Sequence, residues 1–124
     1  VAVVVFATRR LTMLKWFDSR EVDTFADWLV SELLKRYPPT GADSDPKKAA
    51  NRLKKVHDSL FLRVEGFARE HALNLYTKAR LGNRVKWAMR DAGYPPQFSE
   101  TFTHEVVTVV SVVNSRIKNV QKKR

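Results

Sequence analysis

The chain has 124 residues, 44% of them hydrophobic, which is enough for one domain to bury a core without staples. It contains no cysteine, which excludes disulfides, thiolate metal sites and a cysteine nucleophile and, by fitting a reducing compartment, makes a cytoplasmic location the expectation. Lys and Arg outnumber Asp and Glu 23 to 13, and the formal net charge of +10 makes nucleic acid, acidic proteins and anionic membrane surfaces the candidate partners, with plain solubility as the alternative.

That charge is concentrated. Residues 46–90 carry twelve basic and three acidic groups, net +9, whereas residues 1–45 are net −1 and residues 91–124 net +2.

The opening stretch, VAVVVFATRRLT, places its arginines after the apolar run, the reverse of the order in a secretory signal, and no run is long enough to span a membrane as a helix. Residues 1–12 are expected to be an N-terminal segment apart from the fold, either unstructured or not native (a cloning edge or upstream translation). A short β-branched strand or the tail of a missing segment is the alternative. Met13 opens a more typical soluble sequence, so a single helical domain is expected over 13–124.

Asp18 followed three residues later by Glu21 is an Asp version of the capping box. Val22, Phe25, Ala26, Leu29, Leu33 and Tyr37 then recur at helical spacing until Pro38 and Pro39, which predicts a first helix over 19–37. After the loop PPTGADSD, Asp45-Pro46 supplies a capping oxygen and a proline whose missing amide costs nothing in the first turn. From there an apolar stripe runs through Leu53, Val56, Leu60, Val64, Phe67 and His71, and on through Leu75, Ala79, Gly82, Val85 and Met89. One straight helix over 47–92 would reach about 70 Å, too long for a compact domain of this size. A break is therefore expected. Gly82-Asn83 has suitable chemistry, but a turn at 71–74 gives helices of matched length and is preferred.

Gly93, Pro95 and Pro96 close that region, and Ser99 is placed to cap the last helix. The valine-rich tail raises the question of a strand, but strict alternation fails. Phe102, Val106, Val109, Val110, Val113, Ile117 and Val120 share one helical face instead. The fold class is all-α: a four-helix, up-down bundle-like single domain.

Signatures of enzymes are absent. The four glycines are scattered, so there is no phosphate loop, and paired Glu-x-x-His motifs are missing. Of the histidines, His71 lies on the apolar stripe, His57 on its flank and His104 away from it. His71 is better read as a buried histidine with one hydrogen-bond partner, and a metal or acid–base role would need the three to converge in space. No catalytic residue, cofactor or metal is expected.

Basic and aromatic residues carry the functional signal. Lys47, Lys48, Lys54 and Lys55 point away from the stripe of the second helix. Lys47 and Lys48 sit in its first turn, where the helix dipole disfavours cations; either Asp43 and Asp45 compensate or a bound phosphate does. In YTKARLGNRVKW, helical spacing puts Tyr76, Arg80, Arg84 and Trp87 on one side. Guanidiniums there would meet phosphates, and the Trp87 ring would stack on an unpaired base. The competing reading buries both rings under neighbouring segments, with the arginine stems laid over them. A helix-turn-helix pivoting on Gly82 fits the pattern poorly.

The expected function is therefore non-catalytic binding of an anionic partner, with RNA or DNA as the first expectation, through Lys47, Lys48, Lys54, Lys55, Arg80, Arg84 and Trp87. The alternative is a protein-interaction module or homo-oligomer that uses Trp28, which lies off its own helix's stripe and is expected to cover Trp16 or Phe17, or the fourth helix.

Overall fold

The computed structural model describes the backbone of residues 2–39 and 45–122, and the side chains of 19–39 and 45–119. Four helices account for nearly all of it: α1 (Ala2–Arg36), α2 (Pro46–Glu70), α3 (Leu75–Asp91) and α4 (Pro96–Lys122). Among the described residues no helix is long and apolar enough to cross a membrane.

The boundaries follow the punctuation with two corrections. Helical backbone from Ala2 passes straight through Asp18, so Asp18 does not start α1, and the short-strand alternative for 1–12 gives way to helix. Neither glycine nor proline occurs before Pro38, so nothing in the sequence interrupts the run. Ser99 is the second correction. It is fully buried inside the first turn of α4, where its hydroxyl donates to the Pro95 carbonyl at 3.0 Å instead of capping the helix. Asp45 caps α2 as expected, its carboxylate accepting from the Lys47 amide at 3.0 Å.

The central break falls at 71–74, and α3 runs unbroken through Gly82. Asn74 and Thr77 form a reciprocal capping box: the Thr77 amide donates to Asn74 Oδ1 at 2.8 Å, and the Asn74 amide donates to Thr77 Oγ1 at 2.9 Å. A second device comes from far away in sequence. The Asn114 amide of α4 donates to the carbonyls of Ala68 and His71, and its oxygen accepts from the Leu73 amide. One side chain thus satisfies the end of α2 and the turn after it.

Helix directions can be read from the cross-links. Asp23 meets Arg80, Asp27 meets Arg84, and the Tyr37 carbonyl meets the Tyr94 hydroxyl, each pair 57 residues apart. A constant separation means that α1 and α3 run parallel and in step. His57–Glu105 and Ala68–Asn114 make α2 and α4 parallel too. Phe25–Phe67 and Arg36–Ser59 run α1 against α2 in opposite senses, as Lys86–Glu100 and the approach of Gly82 to Val107 do for α3 and α4. Direction therefore alternates along the chain, but the order around the bundle is α1–α3–α4–α2. The backbones of α2 and α3 stand at opposite corners without close approach, as do those of α1 and α4.

The core gathers Val22, Leu29 and Leu33 from α1, Leu60 and Val64 from α2, Leu81, Val85 and Met89 from α3, and Val106 and Val110 from α4, all essentially without solvent contact. Each is worth about 1.5–3 kcal/mol of hydrophobic stabilisation. At one end Gly93, with φ of +98°, turns the chain so that the Tyr94 hydroxyl donates to the Tyr37 carbonyl at 2.5 Å. Burial pushes the Tyr94 hydroxyl up to about 12.

Gly82 sets how closely α3 and α4 approach. A Cβ there would lie 3.1 Å from Val107 Cγ2, so the seam has no room for a branched or long side chain. Gly82→Leu should lower stability by ~1–3 kcal/mol through overpacking, read as a lower denaturation midpoint. An unchanged midpoint would mean that the seam opens freely.

Candidate functional site

The first ten residues of α2, PKKAANRLKK, contain no acidic group and bury nothing fully. Full burial begins at Val56, and His57 and Ser59 bond to Glu105 of α4 and Arg36 of α1. Residues 46–55 are the largely exposed first part of α2, its stem. It stays helical because Asp45 caps it, Pro46 opens it, Ala49, Ala50 and Leu53 favour it, and its other end is rooted in the core. Lys47, Lys48, Lys54 and Lys55 are all exposed on it, and among the described residues no carboxylate pairs with any of them. Asp45 is committed to its capping bond. Asp43, the other expected compensator, lies outside the described residues.

Arg80 and Arg84 lie elsewhere. Arg80 donates through Nε and Nη2 to the two oxygens of Asp23 at 2.9 and 2.8 Å. Arg84 does the same to Asp27, at 2.9 Å for both bonds. These are two-pronged bonds, the geometry for which a planar guanidinium is suited. The Arg80 hydrogen bond holds the Asp23 carboxyl below its ordinary value of 3.8; burial works against this, and the charges of Arg80 and Arg84 add to it. The same bonds push both guanidiniums further toward the charged form. The expectation that these two arginines turn their charge toward phosphate thus meets a structure in which α1 carboxylates already hold them.

Tyr76, Arg80, Arg84 and Trp87 do share one side of α3. With Asp23, Ala79 and Asn83 they line a groove of about 460 Å³. Tyr76 and Trp87 are 64% and 56% exposed, so neither ring is tucked into the bundle. Arg80 Nη1 donates to the Tyr76 hydroxyl at 3.2 Å. Lys86 Nζ and Arg90 Cζ lie 5.6 and 6.0 Å from the centre of the Trp87 ring, within cation–π reach. The seven expected site residues therefore fall into two groups, lysines on α2 and the arginine–Trp87 face on α3, at opposite corners of the bundle.

The histidines do not converge. His57 meets Glu105 of α4 at 2.5 Å, His71 pairs with Glu21 of α1, and His104 is exposed. Among the described residues no three His, Asp or Glu are grouped to hold a metal ion. Trp28 is half-buried against Phe25, with Arg63 of α2 5.3 Å from its ring centre. Its expected neighbours Trp16 and Phe17 lie outside the described side chains. No protein-family description, no curated protein and no solved structure matches this chain.

Sequence reading missed Asp23 and Asp27, because a pairing 57 residues away leaves no local trace. Lys86 and Arg90 were within reach of it, being one and three residues from Trp87.

The Asp23–Arg80 pair makes a testable statement about pH. A carboxyl whose folded value lies below its unfolded one stabilises the fold above the unfolded value and loses that contribution as pH falls through the folded value. Native stability should therefore drop as pH falls below 3.8, and Asp23→Asn should flatten that part of the curve. At neutral pH the same change should cost no more than about 1 kcal/mol, since the pair is partly solvated. Denaturant titrations at a series of pH values read both effects; parallel acid limbs would contradict the assignment.

Proposed function

We propose that this is a cytoplasmic, non-catalytic protein that binds nucleic acid through the stem of α2, with Lys47, Lys48, Lys54 and Lys55 contacting phosphates without regard to sequence. The observation that carries this reading is four exposed lysines, none paired with a carboxylate among the described residues, on a helix whose first ten residues include no acidic group. Cations in the first turn oppose the helix dipole, and a phosphate placed there relieves that opposition. Arg80 and Arg84 take a different part in this reading: they shape the groove beside Trp87 and leave the phosphates to the lysines.

The test is oligonucleotide binding at a series of salt concentrations. Four phosphate contacts predict a slope of log K against log salt of about −3 to −4, and each Lys→Gln change on the stem should reduce it by about one. Undetectable binding at low salt would remove the proposal.

Self-association is the second reading, and one observation favours it. Leu62 is 68% exposed at the edge of a groove of about 440 Å³ that Phe25, Trp28 and Phe67 also line. A second copy covering that groove would hide apolar surface that water now meets. The fourth helix offers less, because Val106 and Val110 are spent on the core and Val112 is its one exposed large apolar residue among those described. Leu62→Glu should convert a dimer to monomer in sedimentation; a native chain that already sediments as a monomer would rule this reading out.

A further inference from the structure

Tyr76, Asn83 and Trp87 mark a line along α3 that phosphate contacts alone leave unexplained. The two exposed rings are eleven positions apart, about 16 Å along the helix axis. Between them the groove floor is charge-balanced, because Asp23 and Asp27 neutralise Arg80 and Arg84. Both ends have polar neighbours: Arg80 donates to the Tyr76 hydroxyl, and Lys86 and Arg90 lie within cation–π distance of Trp87. Lys86 shares its charge with Glu100 at 3.9 Å, whereas Arg90 has no carboxylate partner among the described residues.

A ligand matching this arrangement carries flat π-faces for the rings, hydrogen-bonding edges for the exposed Asn83 amide, and negative charge beside Arg90. Nucleotides combine all three. A single nucleotide is too short to meet both rings, and a duplex keeps its base faces stacked inside, beyond the reach of a side chain. A strand of several unpaired nucleotides meets both conditions. We infer that the α1–α3 groove is a stacking platform for single-stranded nucleic acid, with one base on Trp87, another on Tyr76 and the Asn83 amide facing the base edges between them. The inference rests on the nucleic-acid reading above but uses different residues, so the two can fail separately.

The experiment compares an unstructured homopyrimidine strand with a hairpin duplex of the same nucleotide count. Binding is followed by anisotropy and by the indole N–H signals in nitrogen-15 NMR spectra, with the Trp87 signal assigned by its loss in Trp87→Ala. The unpaired strand should shift the Trp87 signal and the duplex should not. Trp87→Ala should weaken single-strand binding about tenfold without changing its salt slope, since no charge is removed, and Trp87→Phe should restore most of the affinity. Tyr76→Ala should act in the same direction. Salt-dependent binding of both oligonucleotides with the Trp87 signal unmoved and the Trp87→Ala affinity unchanged would overturn the stacking platform and leave the lysine stem standing. Absence of binding by either oligonucleotide would overturn both.

Discussion

The paired bonds from Arg80 to Asp23 and from Arg84 to Asp27 set the register on which the rest of the molecule depends. Their energy is small, because partly exposed ion pairs contribute about 1 kcal/mol or less each, and burial of the valine and leucine core is what holds the bundle together. Their geometry is demanding, however. Two planar guanidiniums one turn apart must each find a carboxylate one turn apart on a parallel helix, and a slip by one residue breaks both. The Tyr94–Tyr37 bond repeats the same offset at the far end. Once α1 and α3 lie side by side and parallel, the chain has no simple circuit left. It must cross from α2 to the opposite corner within 71–74, and the side chain of Asn114 is what closes that short crossing.

This arrangement also sorts the positive charge. Sequence alone places nearly all the excess in residues 46–90 and treats its members alike. In three dimensions Arg80 and Arg84 of α3 are engaged by α1, while Lys47, Lys48, Lys54 and Lys55 of α2 are exposed with no carboxylate partner among the described residues. A cation already sharing two hydrogen bonds with a carboxylate has little to offer a phosphate. An exposed lysine without such a partner keeps its attraction, weakened only by salt. The division between structural and available charge thus comes from helix packing and not from residue type.

Much of the fold is legible in the sequence because its signals are local. Pro38-Pro39 follows the end of α1, Pro95-Pro96 opens α4, Asp45-Pro46 opens α2, and apolar spacing marks the buried faces. The turn at 71–74 follows from length, since no compact domain of this size accommodates the unbroken alternative. Other features are illegible for physical reasons. The start of α1 is a capping signal that helical continuity overrides. Ser99 looks like a cap but is drawn inside by Pro96, which starts the helix earlier. The partners of Arg80, Arg84 and the 71–74 turn are distant in sequence, and only the packing brings them near. The shared face of Tyr76, Arg80, Arg84 and Trp87 was legible from spacing, whereas the carboxylates beneath it were not.

In the proposed function Arg80 and Arg84 are committed to α1, and the α2 lysines carry the contact to nucleic acid. The most direct measurement neutralises both forks at once, Asp23→Asn and Asp27→Asn together with Arg80→Gln and Arg84→Gln, which leaves the net charge at +10. The salt slope of oligonucleotide binding is then compared with that of the native chain. An unchanged slope is what the account predicts; a slope smaller in magnitude by about two would make the arginines the phosphate contacts and contradict it.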